Sequence, residues 1–264
     1  MRYYLRLIGH FIRASAQQDL AYRANFFISI LHSLLNLGTG VLGLAVLFDQ
    51  VDAVRGWDFA SALAVLGVYL TVGALRDLFI GPSLGSITGI DGEVWSGRLD
   101  FTMLRPVNVQ FWASFRQWRL FALFDLVLAL GVLGRAITSL DSTPTAGHLL
   151  TFLILLFASV TTLYAILLAF TALVFWSPGF LFTWVFDGVF QMARYPVKLY
   201  PGGLRLVLTW IVPVGMITTL PARALTGDVP PELLIGGLLL SAGLFSGASI
   251  LFGIGQRRYA SASG

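Results

Sequence analysis

The sequence predicts an all-α membrane protein with six transmembrane helices, an N-terminal interfacial amphipathic helix, and re-entrant helices before the last span. Three observations predict it. Of the 264 residues 57% are hydrophobic and only 11% are charged, where soluble domains carry about a quarter charged residues. Mean hydropathy is +0.82. The apolar residues also fall in uninterrupted runs, several long enough to cross about 30 Å of hydrocarbon. Too few polar residues remain to cover a soluble domain, so much of the apolar surface faces lipid. Residues 1–264 read as a single transmembrane domain.

Residues 1–20 are basic and amphipathic. At 100° per residue Arg2, Arg6, His10, Arg13 and Gln17 share one sector, with Tyr4, Leu5, Ile8, Phe11 and Ile12 opposite. Such a helix lies in the headgroup layer, although a solvated helix face has the same pattern. The first span covers Phe26 to Phe48. A polar connection with Asp49, Asp52, Arg55 and Asp58 around Gly56-Trp57 leads to the second, Phe59 to Ile80, in which Arg76 snorkels or pairs locally. The first run is too long for a signal-peptide core, so no cleavable signal is expected.

Residues 81–119 are the most polar stretch, with Gly81, Pro82, Gly85, Gly89, Gly92 and Gly97 among the basic Arg98, Arg105, Arg116 and Arg119. A third span is expected over Leu120–Leu140, a turn over 141–148 with Pro144 and Gly147, and a fourth span over Leu149–Phe175. Ser177-Pro178-Gly179 is a break, and Phe180–Met192 is a shorter fifth span interrupted by Asp187. Residues 194–231 alternate apolar runs with Tyr195-Pro196, Tyr200-Pro201, Pro213 and Pro221. Two short helices that dip into the membrane and return fit this stretch, since irregular backbone is tolerated where protein buries it. The last span covers Leu233–Ile254 and ends at Arg257-Arg258.

Net charge is +4, and Lys198 is the only lysine. The arginines sit at the ends of apolar runs, which suits anionic headgroups better than nucleic acid. Six spans place both termini on one side. That side collects ten basic residues, against six (Arg55, Arg135, Arg194, Lys198, Arg205 and Arg223) on the other. The excess predicts cytoplasmic termini in the plasma (inner) membrane.

Several chemistries lack their residues. Without cysteine there is no disulfide, thiolate metal site or cysteine nucleophile. Lys198 is followed by Leu199, so there is no phosphate-binding G-x-x-x-x-G-K-[ST] loop. No G-x-S-x-G or H-E-x-x-H occurs. His10, His32 and His148 fall on separate segments, so no metal site is expected. Asp125 and Asp187 lie inside predicted spans, where an ionised carboxylate is costly and marks a functional candidate. Hydrogen bonding within the bundle, or pairing with Arg119 or Arg194, would explain them structurally. They are read as structural more than functional, since each lies near the end of its span.

Several stretches combine into a recognisable set: Tyr22-Arg23-Ala24-Asn25-Phe26, Gly56-Trp57, Gly97-Arg98-Leu99-Asp100-Phe101, Leu104-Arg105-Pro106-Val107-Asn108-Val109-Gln110, and Arg194-Tyr195-Pro196 followed by Tyr200-Pro201, Pro213 and Pro221-Ala222. Over essentially its whole length the chain resembles permease subunits of type-2 ABC exporters, in the subgroup with separate permease and ATPase chains. The resemblance implies an interfacial connecting helix at 1–20 and a coupling helix at about 88–104 that docks on the ATPase. It also implies re-entrant outer helices at 196–229. Asp91, Glu93, Trp95, Arg98, Leu99 and Asp100 mix charge with large apolar groups, as a docking segment requires. An ordinary interfacial loop has the same composition.

The expected function is therefore the membrane subunit of an exporter of amphiphiles (drugs, lipids, peptides or glycans). An ATPase dimer would supply ATP and Mg chemistry, and a second permease chain, like or unlike, would complete the pathway. No cofactor is expected in this chain. Two rivals remain: a proton-coupled secondary transporter using Asp125 and Asp187, and a non-transporting membrane assembly subunit.

Overall fold

The computed structural model describes residues 2–259 apart from residues 22, 90, 141, 179–181 and 228. Tyr22, Asp141, Gly179 and Phe180 of the predicted segments therefore lie outside the described residues. Helix α1 (Arg2–Ala21) precedes α2 (Arg23–Phe48), and a two-residue hairpin, β1 (Ala53–Val54) and β2 (Trp57–Asp58), leads to α3 (Phe59–Leu75). A π-helical turn, Arg76–Ile80, carries α3 without a break into α4 (Gly81–Gly85). Short helices α5 (Leu99–Met103) and α6 (Val109–Phe115) follow, then α7 (Ala122–Ser139), α8 (Ala146–Leu173) and α9 (Phe182–Gln191). Next come α10 (Gly202–Leu206), α11 (Val214–Ile217), α12 (Thr219–Thr226) and α13 (Pro231–Arg258).

Among the described residues five helices are long and apolar enough to cross a membrane: Asn25–Phe48, Phe59–Gly85, Ala122–Ser139, Ala146–Leu173 and Pro231–Arg258. The all-α membrane class is as the composition requires. Of the expected fifth span, Phe182–Gln191 is α-helical (α9), 10 residues and about 15 Å of helix. A 3-10 turn continues it to Arg194, and Tyr195-Pro196 ends the helical run: a residue before proline is pushed out of the helical region, and Tyr195 is extended at φ −116° and ψ 152°. The chain nevertheless climbs antiparallel to α3. Asp187 pairs with Arg76 near one end of α3, and the Lys198 and Tyr200 carbonyls accept from Arg55 Nη1 at 2.7 and 3.0 Å just before its other end.

The next segment runs into the bundle and returns. Met216 O accepts from Ser159 Oγ at 3.2 Å, and Thr218 Oγ1 donates to Ala193 O at 3.0 Å in a buried setting. Ser159 lies near the middle of the 28-residue α8, so the tip of this hairpin reaches mid-bundle. Helix α12 then runs back until Gly227, its left-handed cap at φ 83°, meets His148 in the first turn of α8. Pro221 sits in the first turn of α12, where its missing N–H has no intrahelical acceptor to lose. Pro213 precedes α11 at the buried tip.

α3 is the central helix, with 61% of its most apolar window buried, against 17% for α2 and for α13. α7 crosses it closely at Gly67, where a side chain would meet the Leu133 backbone at 3.0 Å. α13 lies along α8 through Gly237, Ser241, Ala248 and Gly255. Small residues at such spacing let helices approach in lipid, where packing replaces the hydrophobic effect as the driving force. The exposed large side chains, among them Phe27, Ile28, Val46, Phe157 and Leu239, form the surface that composition assigned to lipid.

Candidate functional site

Two regions carry polar chemistry, and both lie where the sequence departs from regular spans. The first is the loop between α4 and α7. Its approach is fixed by Ser83, whose Oγ donates to Gln117 O at 2.7 Å and accepts from Gln117 N at 3.0 Å. α1 is stapled to the same segment: Ser15 Oγ accepts from Trp118 N at 3.0 Å and Asp19 Oδ2 from Leu120 N at 2.9 Å. The Tyr4 and Phe11 rings meet Phe111 and Trp112 at 4.5 and 5.1 Å. Arg2, Arg6, His10, Arg13 and Gln17 are exposed, so the apolar sector of α1 grips the loop and the basic sector faces out. Leu5 departs from the predicted division and is 62% exposed.

The predicted coupling segment is mostly turns, with helix only at α5. Gly97, at φ 71°, turns the chain into α5, and a side chain at Gly92 would run into the Ile87 and Thr88 carbonyls. The predicted residues divide by direction. Glu93 and Leu99 face inward, 5% and 0% exposed. Glu93 pairs with Arg116 and accepts from Thr102 Oγ1 at 3.2 Å. Asp91, Trp95 and Arg98 are exposed, and Arg98 Nη2 donates to Asp91 O at 2.5 Å. Asp100 lies beside Tyr259, past the end of α13, whose phenol is pushed up by burial and then by that carboxylate. The surface also carries Phe101 and Leu104, 70% and 83% exposed. Composition missed these two as surface residues, since an isolated Phe or Leu in a loop reads as core.

The Leu104–Gln110 stretch now has physical roles. The Arg105 guanidinium covers the Trp112 ring at 4.4 Å, and Asn108 caps α6 by accepting from Phe111 N at 3.0 Å. Gln110 Nε2 donates to Ser249 Oγ at 3.0 Å and to Tyr164 OH at 3.3 Å, with Ser114 Oγ 2.6 Å from the same hydroxyl. This network ties α6 to α8 and α13.

The second region is a cavity of about 540 Å³ between α2, α3, α7 and α9. It holds Arg76, Asp77, Arg119, Asp125, Asp187 and Arg194. Asp187 is paired, with Arg76 rather than the expected Arg119 or Arg194. Arg76 lies in the π-helical turn, and such turns are frequent at functional sites. Asp125 lines the cavity with no ion pair within 4.0 Å among the described residues. Arg194 reaches Asn36 and Thr39 on α2.

Toward the opposite end, Tyr200 OH donates to Met192 O at 2.9 Å, and Tyr195 OH fills the space beside Gly43. Pro196 is buried and Pro201 exposed. The hairpin turn before α3 clips this segment: Arg55, at φ 52° with Gly56 at φ 81°, occupies the left-handed position of a tight hairpin turn and donates the bonds to residues 198 and 200. Of the three histidines, His32 lines the cavity, His148 closes the cap of α8 and His10 is exposed on α1.

Neither a curated protein nor a solved structure matches the chain. A family model described as "ABC-2 family transporter protein" matches residues 34–263, from the middle of α2 through the loop, the dipping hairpin and α13. With five bilayer-length apolar helices around these regions, the chain belongs to the ABC-2 transporter family, as a multi-pass membrane permease of the kind that associates with an ABC ATPase.

Proposed function

We propose that this chain is the membrane subunit of an exporter that moves an amphiphile out of the cytoplasm, powered by a separate ATPase dimer docked on the α4–α7 loop. The observation that carries this reading is the division within that loop. A buried Glu93–Arg116 pair holds its shape, while Trp95, Arg98, Phe101 and Leu104 project from it. An exposed aromatic and aliphatic cluster with an adjacent arginine has the composition of an interface core. The loop is braced by α1 on one side and by α8 and α13 on the other, so force applied to it reaches the bundle. In this reading ATP and Mg are held by the partner chains, and both termini and the loop are cytoplasmic. The climbing segment through α9 counts as a sixth, interrupted crossing, and the dipping hairpin caps the outer end. A second permease chain, identical or different, completes the pathway.

Co-purification tests this directly. The full chain should retain an ATPase subunit in mild detergent, and Phe101→Asp with Leu104→Asp should abolish retention while the permease still inserts. Retention unchanged by the double substitution would place the docking surface elsewhere, with residues 105–119 next. The aspartates of the cavity keep a proton-coupled transporter as a second reading. It predicts transport without any ATPase partner, and complete loss of transport in a well-folded Asp187→Asn protein.

A further inference from the structure

Among the described residues Arg194, a cation in the middle of the bundle, has no acid within ion-pair distance. Its Nη2 donates to Asn36 Oδ1 at 2.5 Å and its Nη1 to Thr39 Oγ1 at 3.2 Å. Its guanidinium carbon lies 5.6 Å from the Tyr69 ring centroid. All three partners are neutral. Asn36 sits halfway along the apolar run Asn25–Phe48, so the guanidinium lies at the depth where a charge is least well solvated. Its Nε is buried with no hydrogen-bond partner among the described residues.

Arg76, another of the cavity's arginines, is paired with Asp187. Asp187 is seven residues before Arg194 on the same climbing segment, about 10 Å away along it. Asp77, Asp125 and Asp187 therefore gather with Arg76 and Arg119 toward one end of the cavity, and Arg194 stands by itself at the other. A guanidinium has five N–H donors in a planar fork; Asn36, Thr39 and the Tyr69 hydroxyl engage some of them, and the Nε donor stays unpartnered among the described residues. Arg194 is half-buried, and a cation partly withdrawn from water is favoured by a group of opposite sign.

We propose that the Arg194 end of this cavity receives the anionic group of an amphiphile, a phosphate, sulfate or carboxylate, with its apolar part against α2 and α9. This rests on the permease reading and gives it a substrate class. Asn36 and Thr39 orient the guanidinium and Tyr69 backs it, leaving the remaining donors for the oxyanion. The carboxylates at the other end repel a second anion and so fix which way the molecule enters. Leu37 of α2, Leu70 of α3, Leu128 of α7 and Phe190 of α9 also line the cavity and give the alkyl part an apolar surface.

The test is binding of dodecyl phosphate, inorganic phosphate and dodecyltrimethylammonium to the full chain in a neutral maltoside detergent, read as dissociation constants and thermal stabilisation. Dodecyl phosphate should bind at least tenfold tighter than the cationic amphiphile, and Arg194→Gln should erase the difference. Because Arg194→Gln can fail to fold, Asn36→Asp is the second variant. It places a carboxylate against Arg194 without removing it, and should weaken dodecyl phosphate about tenfold while preserving or raising thermal stability. Equal or tighter binding of the cationic amphiphile overturns the proposal, as does Asn36→Asp that binds dodecyl phosphate like the parent. Inorganic phosphate binding as tightly as dodecyl phosphate overturns the amphiphile assignment. ATPase co-purification from the same membranes reports separately on the permease reading, since Asn36→Asp leaves the loop untouched.

Discussion

Glu93 fixes the shape of the surface proposed to meet the ATPase, and its removal can be worked through from its contacts. The residue is 5% exposed, and its carboxylate holds Arg116 and accepts from Thr102. Its backbone N–H donates to Ser86 O and its carbonyl accepts from Leu99 N, each at 3.1 Å. Glu93→Gln keeps the volume and both backbone bonds but leaves the Arg116 guanidinium without a counter-charge. Burial already pulls Arg116 below the ordinary guanidinium range, the direction expected of a desolvated cation. Breaking a buried pair by removing one partner costs about 3–5 kcal/mol. The Arg116 side chain is 21% exposed and the Glu93 side chain 7%, so water recovers part of the loss and about 2–3 kcal/mol is expected. Arg116→Gln should cost somewhat more, because the charge it strands is the deeper one. The double variant should cost less than the sum of the singles by about 1–3 kcal/mol, the usual coupling of contacting residues. Local opening reports this loss, so amide hydrogen exchange over residues 86–104 should accelerate about 30- to 150-fold in Glu93→Gln. ATPase retention should fall in parallel, although Glu93 does not itself reach the surface. Unchanged exchange in Glu93→Gln, or singles that add within about 0.5 kcal/mol, would refute the anchoring role.

Other consequences are more quickly stated. Gly67→Val should destabilise the α3–α7 crossing by about 1–3 kcal/mol or more, visible as a lower melting temperature in detergent, because the atoms it meets are backbone. Asp187→Asn leaves Arg76 with only the longer 3.9 Å contact to Asp77 and should loosen α9 from α3, and Arg76→Gln combined with it should restore thermal stability relative to Asp187→Asn alone. Arg55→Ala removes both bonds to residues 198 and 200, so limited proteolysis between 195 and 205 should accelerate while the five long helices stay protected.

The sequence by itself determined the class and most of the boundaries. Charge-free runs of bilayer length cannot be placed in water, so α2, α3, α7, α8 and α13 fall where hydropathy puts them. The basic sector of α1, the break at Tyr195-Pro196 and the dip before α13 are likewise local effects of helical period, proline and glycine. Direction and partnership were not legible. Glu93 and Arg98 are both charged residues of one glycine-rich loop, yet one is the buried anchor and the other is exposed. That depends on Arg116, which is 23 positions away in sequence and adjacent only after α6 folds back. Several arginines lie near Asp187 in the sequence pattern, and it is Arg76, in the π-helical turn after α3, that meets it. Arg194 reads from sequence as an outer-loop charge balanced by water or headgroups. The tertiary structure sets it against Asn36 at mid-bundle, because the climbing segment packs along α3 and carries its side chains inward. Hydropathy is a one-dimensional quantity and assigns depth to helices. Which charges meet across the bundle is decided by packing between segments distant in sequence.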